Sequence, residues 1–307
     1  MTFHAGIDVG GTNLRVGVVE DARLIYTKRF HTDFAQLYRT HPPEIAWQQI
    51  VATIADALEK VLQVFPDIVS IGIGFPGFID PVNGTILQSP NLPGLQGKDL
   101  ASGLAARIDR PVVVENDAVA AAYGEYCLHR NALHNLAYIG LGTGVGGGLV
   151  YGGKAFVGQH GTAMEVGHII VETSDTARPC GCGNRGCLEQ YASASGVTLS
   201  YKLATGFELE AVRIAELAAA GDVHALAAFE LAGLHLAQAV AHIAKILDIG
   251  QVVIGGGLSN AWVLMQDAFN RQLQADLIPA LRDNVYIRIS TSGDDAGIIG
   301  AALLSSL

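Results

Sequence analysis

Charged residues are scarce in this chain, and basic ones are the scarcest. Only 16% of its 307 residues are Asp, Glu, Lys or Arg, where about 25% is usual. Lys and Arg number 19 against 29 acidic residues, a formal net charge of −10. Half the residues are hydrophobic, enough to build a large core, which excludes a disordered chain. Without a basic surplus, a general nucleic-acid binder is not expected. Phosphate would have to be held locally, by backbone N–H groups or a metal. Long apolar runs are also missing. None approaches the roughly 18–20 uninterrupted residues of a spanning helix, so no membrane association is expected. The opening MTFHAGIDVGGT has neither the basic nor the apolar region of a secretory signal, and export is not expected. There are four cysteines, too few for a disulfide scaffold, and three of them fall in CGCGNRGC. That clustering points to a bound metal and a reducing cytoplasm. The GxxxxGK[ST] phosphate loop is absent.

Glycine is abundant instead, with 37 residues where roughly 7% of a chain is usual. The glycines gather in GIDVGGT, IGIGFPGF, GLGTGVGGG and VVIGGGLS, each following or interrupting an apolar, β-branched run. Ala5–Val9, a glycine turn and Leu14–Val19 predict a hairpin. Tyr138–Leu141, GTGVGG and Gly148–Tyr151 predict a second, and two such hairpins suggest an internal duplication. Helical periodicity covers Glu44–Phe65, through Trp47, Ile50, Ile54, Leu58, Val61 and Phe65. Strands are expected at Val69–Ile73, Pro111–Val114, Gln251–Ile254 and Ile287–Ser290, with a Pro/Gly-rich loop from Phe75 to Gly97. Helices are expected after Asp117, at Glu208–Ala219, at Val223–Leu247 and at the C-terminus, where Asp294 to Gly297 would cap a helix reaching Leu304. Alternating strands and helices define an α/β protein, and the length suggests about two domains.

Four constellations carry chemistry. The turns at Gly10-Gly11-Thr12 and Thr143-Gly144, with Gly255-Gly256-Gly257, offer N–H donors and hydroxyls that could grip one nucleotide. Asp8 precedes the first turn. It is either a turn-stabilising residue or the carboxylate that accompanies Mg²⁺ at a phosphate cradle. Asp117 ends a buried strand and opens a helix. It is either a helix cap or a base that accepts a proton from a substrate hydroxyl. Cys180, Cys182 and Cys187, with His168 twelve residues upstream, form a closed three-thiolate, one-imidazole zinc set of structural type. Cys127 lies on an apolar helix and is expected to pack in the core. Glu165 and Glu189 flank the zinc ligands, a pair suited to hydrogen-bonding hydroxyls.

Along nearly its whole length the chain resembles the ROK family of repressors, open reading frames and kinases, which belongs to the actin-like sugar kinases. The resemblance rests on Asp8-Val9-Gly10-Gly11-Thr12-Asn13, GFPGFID, SPNLPG, ENDAVAAAYGE, GLGTGVGGG, GTAMEVGH, CGCGNRGCLE and VVIGGGLS, all in family order. It implies two actin-like, ribonuclease H-like domains with a cleft between them and a zinc insertion. The smaller domain would comprise 1–116 and about 294–307. The larger, 117–293, would carry the zinc segment 165–189. It further implies ATP-dependent phosphorylation of a hexose 6-hydroxyl, with Asp117 as base. Gly77, Asn91, Asn116, Asp117, Glu165, His168 and Glu189 would bind the sugar. Asp8, Gly10, Gly11, Thr12, Asn13, Thr143, Gly144 and Gly255 to Gly257 would serve ATP and Mg²⁺. The loops at Phe75–Asp80 and Asn91–Gly94 look closest to the glucokinase branch, with N-acetylglucosamine or N-acetylmannosamine as the alternative substrate. Two departures are noted: Met164 stands where many members have glycine, and Leu95 where tryptophan is frequent. A homodimer is the expectation. The family's repressors carry a DNA-binding segment before the first strand, which here begins at about residue 4, so a repressor is not expected.

Overall fold

The computed structural model of the chain describes residues 2–10, 13–89, 92–129 and 134–307. The first half runs β1 (Phe3–Val9), β2 (Asn13–Glu20), β3 (Arg23–His31), α1 (Phe34–Thr40), α2 (Pro43–Leu62), β4 (Ile68–Phe75), β5 (Phe78–Ile79), β6 (Ile86–Gln88), α3 (Leu100–Ala105), β7 (Val112–Asn116) and α4 (Asp117–His129). It continues with β8 (Leu136–Leu141), β9 (Val145–Tyr151), β10 (Lys154–Ala155), α5 (Glu189–Ala192), α6 (Ala194–Thr205), α7 (Ala211–Ala219), α8 (Val223–Leu247), β11 (Gln251–Gly255), α9 (Trp262–Asp276), α10 (Pro279–Arg282), β12 (Tyr286–Ile289) and α11 (Asp295–Leu304).

Two five-stranded sheets share one topology. Their orders are β3-β2-β1-β4-β7 and β10-β9-β8-β11-β12. In the first, β1, β2 and β3 pair antiparallel, while β4 and β7 add in parallel beside β1. In the second, β9 and β10 pair antiparallel, and β11 and β12 add in parallel beside β8. The repeated order bears out the duplication suggested by the two glycine hairpins.

The chain divides into two compact units, 1–134 with 148–163 and 294–307, and 135–147 with 164–293. In the first unit β1, β2 and β4 are apolar on both faces, as strands covered on two sides must be. One face carries α2, whose Ile50, Ile54, Leu58 and Val61 are fully buried at helical spacing. Its Pro43 stands at the first turn, where no N–H is needed. The other face carries α11, and contact there is backbone to backbone. A Cβ on Gly6 would meet the Ile298 carbonyl, and one on Gly72 the Ala301 carbonyl. The exposed edge strand β3 bears Arg23, Lys28 and Arg29, charges that discourage edge pairing.

In the second unit α8 is the longest helix. By length and composition it is apolar enough to cross a membrane, but most of its apolar window is buried within the fold. Phe229, Leu236, Val240 and Ile243 belong to that buried face. Among the described residues no other helix is long and apolar enough to do so.

Several local expectations are corrected. Asp117 is the first residue of α4 and not its cap. Asn116 is the cap, its Oδ1 accepting from the N–H groups of Ala118 (2.9 Å) and Val119 (3.1 Å). Asp294 precedes α11 without a side-chain capping bond; its carboxylate faces Arg15 at 3.1 Å. The second hairpin's return strand starts at Val145, earlier than Gly148. The helix expected to reach Phe65 stops at Leu62. The helix expected from Glu208 starts at Ala211. The loop 75–97 contains β5, β6 and a 3-10 turn at Pro93–Leu95.

Candidate active site

In the first unit the predicted residues cluster at the carboxyl ends of parallel strands, where open α/β sheets bind ligands. β4 and β7 pair up to Phe75↔Asn116. Asn116 donates from Nδ2 to the Gly77 carbonyl at 2.9 Å, and its N–H meets Glu115 Oε1 at 2.8 Å. One side chain thus caps α4 and pins the loop after β4. Asp117 follows directly, with Oδ1 accepting from the Ala118 N–H at 2.8 Å. A Cβ on Gly74 would lie 3.6 Å from the Asp117 Cα, so the base candidate sits over the end of β4. Asn91 lies outside the described residues.

Asp8 pairs across the sheet with Arg15 and Gly74. Burial pushes its carboxyl up to about 6. Arg15 and Arg29 pull it down, and Asp294 adds to the rise. Burial disfavours the charged form of this carboxyl, and a divalent cation beside it would favour that form. Its chemistry therefore fits a Mg²⁺ partner. The adjoining turn is closed by the Gly10 N–H donating to the Asn13 carbonyl at 2.8 Å. Gly11 and Thr12 lie outside the described residues.

In the second unit two glycine clusters end adjacent parallel strands. β8 and β11 pair up to Gly140↔Gly255. Gly142–Gly144 follows β8, its turn closed by the Gly142 N–H on the Gly144 carbonyl at 2.9 Å, and Thr143 is exposed. Gly256 has φ +80°, a conformation glycine adopts without strain, and a Cβ there would strike the Leu141 backbone. The sequence does not foresee how close Glu189 lies to the first turn. Its Oε2 accepts from the Val145 N–H at 3.0 Å, and a Cβ on Gly144 would overlap that oxygen. A side chain at position 144 would displace the Glu189 carboxylate.

The zinc donors converge. His168, Cys180, Cys182 and Cys187 place one donor atom each, all within 4.8 Å of one another. Cys180 Sγ lies 3.7 Å from His168 Nδ1, and Cys182 Sγ lies 3.6 Å from Cys187 Sγ. With Zn–S near 2.3 Å and Zn–N near 2.0–2.1 Å, the edges of a tetrahedral site are about 3.5–3.8 Å. These two separations match the edges of such a tetrahedron. Burial and the neighbouring thiols push Cys187 up to about 12, and a bound dication reverses this by holding the thiolate. The residues present fit zinc.

Because Nδ1 faces the thiols, Nε2 of His168 points away from them, 4.0 Å from Glu165 Oε2. Burial raises the Glu165 carboxyl; His168 lowers it and Glu189 raises it further. The two acids therefore feel one another's charge. Glu165 follows Met164, whose φ is +65°, a left-handed conformation where glycine is at ease.

The ROK family model matches residues 4–306. The chain belongs to the ROK family. It is 34% identical to a glucokinase of Halalkalibacterium halodurans, over 98% of this chain and 94% of that protein. It is 32% identical to an N-acetyl-D-glucosamine kinase of Pasteurella multocida, over 97% and 98%. The crystal structure of a ROK family glucokinase from Streptomyces griseus, in complex with glucose and AMPPNP, matches with a TM-score of 0.81 and 31% identity, covering 99% of both chains.

Proposed function

We propose that this protein is an ATP-dependent hexose kinase that phosphorylates the 6-hydroxyl of glucose. The observation that carries this reading is the placement of Asn116 and Asp117 at the end of β7. Asn116 bonds the N–H groups of Ala118 and Val119 and the Gly77 carbonyl, and Asp117, which shares the Ala118 N–H, follows it at the strand end. Full-length similarity to glucokinases supports it.

In this mechanism Asp117 accepts the proton of the 6-hydroxyl as that oxygen attacks the γ-phosphorus of ATP. The bond from the γ-phosphorus to the bridging oxygen breaks, giving hexose 6-phosphate and ADP. Asn116, Gly77, Asn91, Glu165, His168 and Glu189 orient the sugar ring. The turns at Gly10 to Asn13, at Thr143-Gly144 and at Gly255 to Gly257 offer N–H groups to the nucleotide. Asp8 would hold Mg²⁺, which when bound would supply the charge neutralisation that phosphoryl transfer needs. His168, Cys180, Cys182 and Cys187 would hold zinc, which would order the segment bearing Glu165 and Glu189; four protein donors suit a structural and not a catalytic site.

N-acetylglucosamine is the second reading, favoured by the comparable identity to an N-acetyl-D-glucosamine kinase. The acidic net charge supports a protein without nucleic-acid partners, and the three thiols suit the reducing cytoplasm. A homodimer completes the proposal. The test is the initial rate of ADP release over a panel of hexoses and N-acetylhexosamines. Glucose should have a kcat/KM at least equal to that of either acetylated sugar. A tenfold preference for an acetylated sugar replaces the first reading with the second.

A further inference from the structure

Outside the metal and the carboxylates, one side chain ties the zinc segment to the body of the second unit. Arg178 lies two residues before Cys180. Its carbonyl accepts from the Gly186 N–H at 2.8 Å, and its own N–H donates to the Tyr191 hydroxyl at 3.0 Å. Its guanidinium lies 4.4 Å from the centroid of the Tyr191 ring. It donates from Nη1 to the Gln190 carbonyl (2.6 Å) and the Gly196 carbonyl (3.3 Å), and from Nη2 to Ser200 Oγ (3.0 Å). The buried His235 ring of α8 stands 4.4 Å from the Tyr191 ring, tilted against it. Among the described residues Arg178 has no carboxylate within ion-pair distance. Its half-buried charge is satisfied by carbonyls, a hydroxyl and a ring.

These bonds bear on Glu189. Helix α5 has four residues, Glu189 being the first, too few to hold itself together. Cys187 anchors the chain two residues before Glu189, and Arg178 grips the carbonyl of the residue after it. We propose that Arg178 is a positioning residue for the hexose site, the second anchor after zinc that fixes where Glu189 presents its carboxylate. The proposal rests on the hexose-kinase reading above. It goes beyond the metal and sugar ligands because Arg178 serves through the chain that carries Glu189. The fork and the stacking on Tyr191 require arginine, because a lysine ammonium cannot bond two carbonyls and a hydroxyl while lying flat on a ring.

The test compares wild type, Arg178→Ala and Arg178→Lys for zinc per chain, kcat, and KM for glucose and for ATP. It adds the same arginine changes in a Glu189→Gln background. Both single variants should keep one zinc per chain, raise the glucose KM tenfold or more and leave the ATP KM within twofold. With Glu189→Gln present, the same change should raise the glucose KM by less than threefold, because the two residues act as one unit. The proposal is overturned by a glucose KM within twofold of wild type, by both KM values rising together, or by full additivity with Glu189→Gln. Should Arg178→Ala not fold, Arg178→Lys decides by the same criteria. If wild type itself turns over no hexose, the kinase reading falls and this proposal with it, an outcome distinct from an active wild type with unresponsive variants.

Discussion

Two adjacent residues, Asn116 and Asp117, divide between them tasks that the sequence assigns to one. A carboxylate at a strand-to-helix junction is ordinarily explained by capping. Here the amide of Asn116 accepts from the N–H groups of Ala118 and Val119, while Asp117 Oδ1 shares the Ala118 N–H, so capping does not rest on the acid alone. Asp117→Asn keeps the shape but cannot take a proton. A general base is worth roughly 10²–10⁴-fold, so kcat should fall by at least a hundredfold while glucose affinity stays within a few-fold, as read by steady-state kinetics and calorimetric titration. A variant retaining a tenth of wild-type kcat rules out Asp117 as base. Asp8 makes a pH prediction of the opposite kind. Its folded carboxyl titrates near 6, above its ordinary 3.8, chiefly through burial. The folded state therefore holds the proton more tightly than the unfolded one, and stability falls as pH rises from about 4 to about 6, levelling off above. Without nucleotide, Asp8→Asn should lack this fall, so the difference in Tm between variant and wild type should widen over that window. Parallel Tm curves from pH 4 to 7 would contradict it. Met164 completes the residue scale. A left-handed φ costs a side-chain-bearing residue about 1–2 kcal/mol, and β-branched residues suffer most. Met164→Gly should leave stability unchanged or raise it by up to about 1 kcal/mol. Met164→Val should lower it, as measured by denaturant midpoint. A Val variant as stable as wild type would remove the strain argument.

Elements were legible where one physical signal dominated. The apolar period of α2 and the run of α8 announce buried helices. The glycine hairpins announce β1-β2 and β8-β9 because tight turns between apolar strands leave a compositional mark. Elements whose stability comes from tertiary bonds left none. Helix α5 is held by Arg178, and α6 by the Ser193 cap, its Oγ accepting from the Gly196 N–H at 2.9 Å. Neither has a strong apolar stripe to read. The start of α11 misleads in the same way. Asp294 and Asp295 look like caps, yet both carboxylates face Arg15 of β2, at 3.1 and 2.5 Å, and the ion pairs fasten the helix to the sheet. That helix lies so close that glycine is required beneath it. A Cβ at Gly72 would overlap the Ala301 carbonyl, and backbone cannot move aside as a side chain can. Gly72→Ala should destabilise by about 1–3 kcal/mol, the usual cost of overpacking, seen as a lower urea midpoint with an unchanged m-value. A neutral Gly72→Ala would mean that α11 slides freely on the sheet.

At the scale of the whole molecule, the chain's scarcity of charge and its glycine clusters have one explanation. The glycine turns leave backbone N–H groups at strand ends, and a few acids stand beside them on scaffolding that the sequence shows only in part. The convergence of His168, Cys180, Cys182 and Cys187 was legible from spacing, because three thiols and an imidazole within twenty residues have few other uses. That Glu189 lies against Gly144 and Val145 was not, since it depends on how β9 starts. The second unit keeps its core elsewhere, in β8, β11 and the buried faces of α8 and α9, where Phe229, Leu236 and Phe269 are fully enclosed. Between His168 and Cys187 few apolar side chains are buried: Ala177, Cys180 and Cys187, with Ile169 and Val171 partly so. A bound metal would order that segment, which Glu165 and Glu189 flank. Cys182→Ser, which removes the exposed ligand with least disturbance to packing, should lose zinc and weaken glucose binding at least tenfold, while far-UV circular dichroism stays close to wild type. Metal analysis, glucose titration and a thermal scan on the same preparation decide it. Wild-type glucose affinity in the zinc-free variant, or less than stoichiometric zinc in freshly purified wild type, would show that the acids are placed without the metal.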